Sequence, residues 1–140
     1  MGRRNFHGVQ INATQTIVRP AGAEIEDVRN RIMKYDENGN FVLATAGTDF
    51  PIGIAIIEAG YNDISGVESG KVPAGEDVTV QIKDIGYVLA GAEIKEGQEI
   101  AAGADGKAVV AVDGNYVLGI ALNSVAVDGY CEVQCMKYKK

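Results

Sequence analysis

The sequence predicts an all-β protein, a small barrel or sandwich built from two internally repeated halves and preceded by an extended N-terminal arm. Three observations carry this. Short runs rich in β-branched residues are punctuated by turn signals about every ten residues, the spacing of sandwiches and small barrels. Glycine accounts for 18 of 140 residues, close to twice its usual ~7% share. An ordered series of segments also occurs twice, which points to a duplicated unit.

The duplication is legible residue by residue. Gly22-Ala23-Glu24-Ile25 returns as Gly91-Ala92-Glu93-Ile94, and Gly53-Ile54-Ala55-Ile56 returns as Gly119-Ile120-Ala121-Leu122. Between these anchors each copy has a turn and a strand-like run, Asp36-Glu37-Asn38-Gly39 before Phe41-Val42-Leu43-Ala44, and Ala104-Asp105-Gly106-Lys107 before Ala108-Val109-Val110-Ala111. Each copy closes on an alternating stretch, Val78 to Ile82 and Cys131 to Cys135. The expected organisation is an arm over residues 1–20 and a single β-barrel domain over 21–140, with halves at about 22–83 and 91–138. Two such halves closing one barrel would leave few exposed strand edges.

Taken in chain order, 9–18 is the first candidate strand, with Val9, Ile11 and Ala13 on one face. Residues 22–35 look helical in isolation, because Ile25, Val28 and Ile32 fall at i, i+3 and i+7. The matching segment from Glu93 to Gly103 contains Gly97 and Gly103, which a helix disfavours. A strand at 31–35 leading into an Asn38-Gly39 hairpin turn is therefore expected, with a short helical turn at 24–29 as the alternative. Further strands are expected at 40–45, 52–57, 77–83, 86–90, 107–112, 116–122 and 129–138. The halves differ in the loop 58–76, which has only a short counterpart between Asn123 and Gly129. Loops beyond 12–15 residues are uncommon in compact domains. With Tyr61, Ile64, Val67 and Val72 this one is too apolar for a free linker, so it is expected to pack on its own barrel or on a partner.

Charge is unevenly distributed. The net charge is −6, yet the first twenty residues hold Arg3, Arg4 and Arg19 and no acid, and the last five add Lys137, Lys139 and Lys140. The body between carries −12. Such a body repels nucleic acid and anionic lipid, whose binding requires basic residues. No apolar run approaches the ~18 residues of a membrane span, and the polar N-terminus predicts no signal peptide. Cys131 and Cys135, four apart in an expected strand, stand roughly 13 Å apart, too far for a disulfide, and two free thiols fit a protein made in a reducing cytoplasm.

Catalytic motifs fail on inspection. Gly66-Val67-Glu68-Ser69-Gly70-Lys71-Val72 is one residue short of a phosphate-binding loop and has Val72 where that loop needs Ser or Thr for Mg²⁺. His7, the single histidine, sits on the arm, a poor place for pre-organised chemistry. Cys135-Met136-Lys137 shares the Met-Lys of biotin carrier domains, but at a chain end rather than on a hairpin turn. No metal, cofactor or enzymatic activity is expected.

The ordered series Val18-Arg19-Pro20-Ala21-Gly22-Ala23, Asn38-Gly39, Ala44-Thr45-Ala46-Gly47, Pro51-Ile52-Gly53-Ile54-Ala55 and Gly75-Glu76-Asp77-Val78-Thr79-Val80 resembles the bacteriophage capsid cement, or head decoration, proteins. So does Ala92-Glu93-Ile94, Gly97, Gly106-Lys107-Ala108 and Val117 to Leu122. The resemblance covers about residues 15–138 and rests on structural glycine and apolar positions. It implies a virion protein, made in the host bacterial cytoplasm, that binds the outer capsid surface and cements contacts between major capsid subunits, as a homotrimer over (quasi-)threefold positions. On that basis Arg3, Arg4, Asn5, Phe6, Val9 and Ile11 of the arm are expected capsid contacts. Tyr61, Ile64, Val67 and Val72 are expected at the oligomer interface. The alternatives are a small ligand-binding or carrier barrel with the long loop as a lid, or a tail or fibre component of a virion.

Overall fold

The computed structural model describes residues 15–62, 65 and 69–140. The arm residues Arg3, Arg4, Asn5, Phe6, Val9 and Ile11 lie outside the described residues, as do Ile64 and Val67 of the long loop.

The described chain is all-β. Its strands are β1 (Thr16–Pro20), β2 (Ile32–Tyr35), β3 (Phe41–Leu43), β4 (Gly53–Ala55), β5 (Asp77–Gln81), β6 (Ile85–Leu89), β7 (Glu99–Ala102), β8 (Ala108–Val110), β9 (Tyr116–Ala121) and β10 (Tyr130–Lys139), with one 3-10 turn at Ala104–Gly106. They form two five-stranded antiparallel sheets, ordered β1-β5-β4-β2-β3 and β6-β10-β9-β7-β8. Counted from the first strand of each half, the two orders are the same. The sequence repeat is thus a repeat of topology, and it extends to register: Met33 opposes Gly53 as Ile100 opposes Gly119, and Tyr35 opposes Phe41 as Ala102 opposes Ala108. Single bridges recur too, Ala21 with Phe41 and Ala90 with Ala108 in parallel, Ile25 with Val72 and Ile94 with Val125 antiparallel.

The parallel bridges show how each half closes. Each joins the residue after a half's first strand to its third strand, which are opposite edges of the same sheet. Each sheet is drawn round on itself, and the halves pack together rather than pooling their strands. Close backbone approach makes this possible at one repeated position. A Cβ on Gly53 would stand 2.0 Å from the Gln81 carbonyl oxygen, and one on Gly119 would stand 2.0 Å from that of Gln134. Only glycine lets β4 and β9 approach their neighbours so closely.

Strand β2 forms where the repeat argument places it. The Asp36 carboxylate accepts the backbone N–H groups of Asn38 (2.8 Å) and Asn40 (2.9 Å) and so builds the hairpin turn. No helical turn forms at 24–29: Ile25 N–H bonds to Val72 O at 2.9 Å, and Val28 N–H to Gly70 O at 3.0 Å. The helical spacing of Ile25, Val28 and Ile32 reflects three separate burials instead. Two strand expectations shift. The first described strand runs over Thr16–Pro20, while residues 9–14 of the expected 9–18 strand lie outside the described residues; five residues assigned to the arm thus belong to a sheet, with Pro20 on an edge strand where a missing donor is tolerated. Strand β7 was not expected at all. Glu99-Ile100-Ala101-Ala102 has weak β-propensity, and its pairing with both β8 and β9 determines its conformation.

The first half encloses Ala21, Ile25, Val28, Met33, Phe41, Ala55, Val72, Val78 and Val80. The second encloses Val88, Ile94, Ile100, Leu118, Cys131 and Val133, and in the same cluster lie Ile32, Ala44 and Ile54 from the first half. Those three turn away from their own barrel and seal the junction. Each fully buried large aliphatic side chain contributes about 1.5–3 kcal/mol, so the halves are bound by apolar packing as well as hydrogen bonds.

The outer face of the second half is closed differently. β10 has 10 residues where its counterpart β5 has 5. A bulge between Cys135 and Tyr138 redirects the strand, after which Tyr138 opposes Val117 and Lys139 opposes Tyr116. This extension lies over a small outer cluster of Ala101, Ala111 and Val117. Tyr138 Oη and Lys140 Nζ (2.9 Å) both donate to the Glu99 carboxylate.

Candidate functional site

Among the described residues no group of His, Cys, Asp and Glu side chains is arranged to hold a metal ion, and no helix is long and apolar enough to cross a membrane. What the described surface offers is exposed apolar side chains spread over both halves, and two places combine them with fixed charges.

The first is the seam between the halves. Phe50 and Tyr116 stack with ring centroids 5.4 Å apart and 6° between planes, and Lys139 Nζ lies 5.5 Å from the Tyr116 centroid, within cation–π range. Lys137 Nζ donates to Ile52 O at 2.6 Å, and burial holds its pKa below the usual lysine value. Phe50 is 53% exposed and Met136 48%, so the basic end of β10 displays apolar surface beside fixed cations. The loop behind Phe50 is tightly held: Asp49 accepts from Thr45 N–H (2.9 Å), Ala46 N–H (3.2 Å) and Lys34 Nζ (3.0 Å).

The second is the long loop of the first half. Its described residues are held to their own barrel, with Val28 N–H bonded to Gly70 O, and to each other, with Tyr61 N–H bonded to Lys71 O at 3.0 Å and Gly70 N–H to Tyr61 O at 2.8 Å. Val72 is buried in the first-half core and bridges Ile25. Tyr61 and Ile57 stay partly exposed beside a shallow cavity of about 260 Å³ that is also lined by Arg29, Glu58, Asn62 and Ser69. Arg29 is fixed there by a two-point contact with Asp27, both bonds 2.9 Å. Burial alone would raise the Asp27 pKa, but its bonds to Arg29 outweigh that and lower it.

The sequence-predicted interface residues therefore divide. Tyr61 presents surface, Val72 faces the protein's own core, and the others lie outside the described residues. The Phe50–Tyr116 seam was missed. Its signal was present in the repeat, since Phe50 stands three residues before Gly53 and Tyr116 three before Gly119, but nothing in one sequence says that equivalent positions of two halves will meet. The cysteines are free. Burial pushes both thiols up to about 11, with the Glu132 charge adding to the rise at Cys131 and Asp84 at Cys135, where Lys137 works against it.

No protein-family model matches the sequence, and no curated protein matches it. Among solved structures the chain is similar to the N base of the head fiber gp8.5 of bacteriophage phi29, with a TM-score of 0.64 and 20% identity over 90% of this chain and 98% of that one. At that identity the likeness is one of fold. It spans nearly the whole of both chains and so takes in both halves.

Proposed function

We propose that this protein is a structural component of a bacteriophage head, bound to the outer surface of the assembled capsid, where it cements contacts between major capsid subunits. The observation that carries this reading is the fold shared with a phage head fiber base along 98% of that chain. Two independent features support it. The motif series of the sequence resembles the head decoration proteins, and the described surface exposes apolar side chains such as Phe50, Tyr61 and Met136 that suit contact with a protein partner.

In this reading the residues preceding β1, with Arg3, Arg4, Asn5, Phe6, Val9 and Ile11, reach the major capsid protein. β1 is an edge strand, so the chain enters the fold from its periphery. Two adjacent arginines followed by apolar residues at alternate positions, Val9, Ile11 and Ala13, suit an acidic, grooved protein surface. The acidic body then faces solvent. A homotrimer over threefold positions places the Tyr61 loop between copies. Binding only to assembled heads stabilises them by mass action. The protein carries out no catalysis, needs no cofactor, and leaves nucleic acid and membrane alone.

The test is co-sedimentation of the purified protein with heads of its own phage that lack it. Saturable co-pelleting is expected, and lost when residues 2–12 are deleted from a chain that stays folded. Failure of the intact protein to pellet with heads overturns the reading. An intact mass raised by a covalently attached carrier group would favour the carrier-barrel alternative instead.

A further inference from the structure

The contact between the halves is not reciprocal. At the outer edge of β6, Leu89 N–H donates to Asn30 O at 2.9 Å, and Asn30 Nδ2 donates to Tyr87 O at 3.0 Å. Arg31 Nη1 reaches Asp105 O at 3.3 Å, and Ile32, Ala44 and Ile54 fill the space between. One half gives an outer face; the other receives it along a strand edge.

Because the halves are copies, each also owns a counterpart surface that the contact between the halves does not use among the described residues. The unused receiving edge is β1, where register puts Val18 and Pro20 at the places of Tyr87 and Leu89. The unused outer face belongs to the second half, with Gly97, Glu99 and Ala111 at the places of Asn30, Ile32 and Ala44. Each is altered at the point where the used copy makes its bond. Pro20 has no N–H to give. The carbonyl of Val18 is taken by the guanidinium of Arg19 at 2.8 Å. Gly97 lacks an amide side chain, although its backbone, like that of Asn30, has positive φ. Glu99 replaces an apolar residue and anchors the β10 extension that covers the face.

We infer that the two ends of this molecule are a latent head-to-tail interface for a second copy of the same chain, held closed by residues Met136–Lys140 and by Pro20 and Gly97. The second copy is the occupant because the interface continues the one between the halves: what the first half gives to β6, the second half of one molecule would give to β1 of the next. Contacts of this kind are heterologous, and those that do not close into a ring grow without limit. Tandem repeats need capped ends for the same reason. The extension is that cap, and it leaves the molecule at two repeats. The inference is independent of the capsid reading and of any trimer formed through the Tyr61 loop.

Sedimentation velocity over a concentration series tests it with three full or shortened chains: wild type, a chain ending at Cys135, and that shorter chain with Pro20→Leu and Gly97→Asn. Wild type keeps one assembly state. The shorter chain gains mass with concentration by mass action, and the version with both restored donors grows further, reaching roughly twice the wild-type weight-average mass or more. Adding Val18→Asp to either shortened chain returns it to the wild-type profile. If the shortened chain does not fold, full-length Glu99→Ala, which removes the side-chain bonds of Tyr138 and Lys140 to that carboxylate and leaves the extension held by its backbone pairing alone, gives the weaker form of the same growth. Folded variants that sediment as wild type overturn the inference, and so does growth that Val18→Asp leaves unchanged.

Discussion

Phe50 and Tyr116 hold equivalent places in the two halves, yet they meet face to face, 5.4 Å apart and 6° from parallel. The pair is therefore a direct report on whether the halves behave as one folding unit. Stacked aromatic pairs contribute about 0.5–1.5 kcal/mol beyond their area. Phe50→Ala and Tyr116→Ala are each expected to lower unfolding free energy by about 1–2 kcal/mol, with a coupling of about 0.5–1 kcal/mol in the double-mutant cycle. Chemical denaturation is expected to show a single transition throughout. Zero coupling would place the two rings in separate units.

Gly53 and Gly119 offer a test of the duplication itself. A methyl group at either site runs into a backbone oxygen at 2.0 Å, which the sheet relieves only by separating strands. Gly53→Ala and Gly119→Ala are each expected to cost about 3 kcal/mol or more. The two values should agree to within about 1 kcal/mol, because their surroundings are copies. Thermal or denaturant unfolding measures both.

Asp49 gives the acid limb of the stability curve. Burial alone would raise its pKa, but hydrogen bonds from Thr45, Lys34 and Ala46 outweigh this and hold it below the usual carboxylate value. A depressed folded-state pKa means stability that is fully present above the unfolded value and is lost as pH falls through the folded one. Wild type is thus expected to lose stability below about pH 4. Asp49→Asn should be less stable at pH 7 by about 1–3 kcal/mol and should show a shallower fall on acidification. Equal slopes for the two proteins would contradict this role.

The thiols define the alkaline limb. Both Cys131 and Cys135 are pushed up to about 11, above the ~8.5 of a free thiol. A raised folded-state pKa gives stability that is present below the unfolded value and lost as pH rises through the folded one. Cys131→Ser and Cys135→Ser place a hydroxyl against the apolar core and are less stable at neutral pH, but they lack the further loss that wild type shows between about pH 8.5 and 11. In the native protein at pH 8 both thiols should resist iodoacetamide, and both should react in denaturant. Rapid native alkylation of Cys131 would show that its strand opens.

Much of the fold was legible because duplication lets one copy interpret the other. Gly97 and Gly103 removed a helix from residues 22–35 of the other half, and Asn38-Gly39 marked a turn that Asp36 builds. β7 escaped because its four residues carry little local preference and take strand form from two neighbours. The bulge after Cys135 escaped because period-two alternation alone cannot register an extra residue. At the surface, Tyr61 was expected at an interface formed by the unmatched loop, and the structure leaves it partly exposed. Val72 looked the same in sequence but turns into the first-half core, where it pairs with Ile25. The non-reciprocal contact of Asn30 with β6 follows from how the halves are placed, a property of the assembled pair rather than of either segment.

The measurement that bears most directly on the central claim is a density difference between phage heads with and without this protein, imaged by cryo-electron microscopy. The account predicts added density on the outer face of the shell, at positions bridging neighbouring major capsid subunits, and large enough to hold two-lobed β-rich molecules. Identical shells with and without the protein, or added density confined to the tail or the interior, would contradict it.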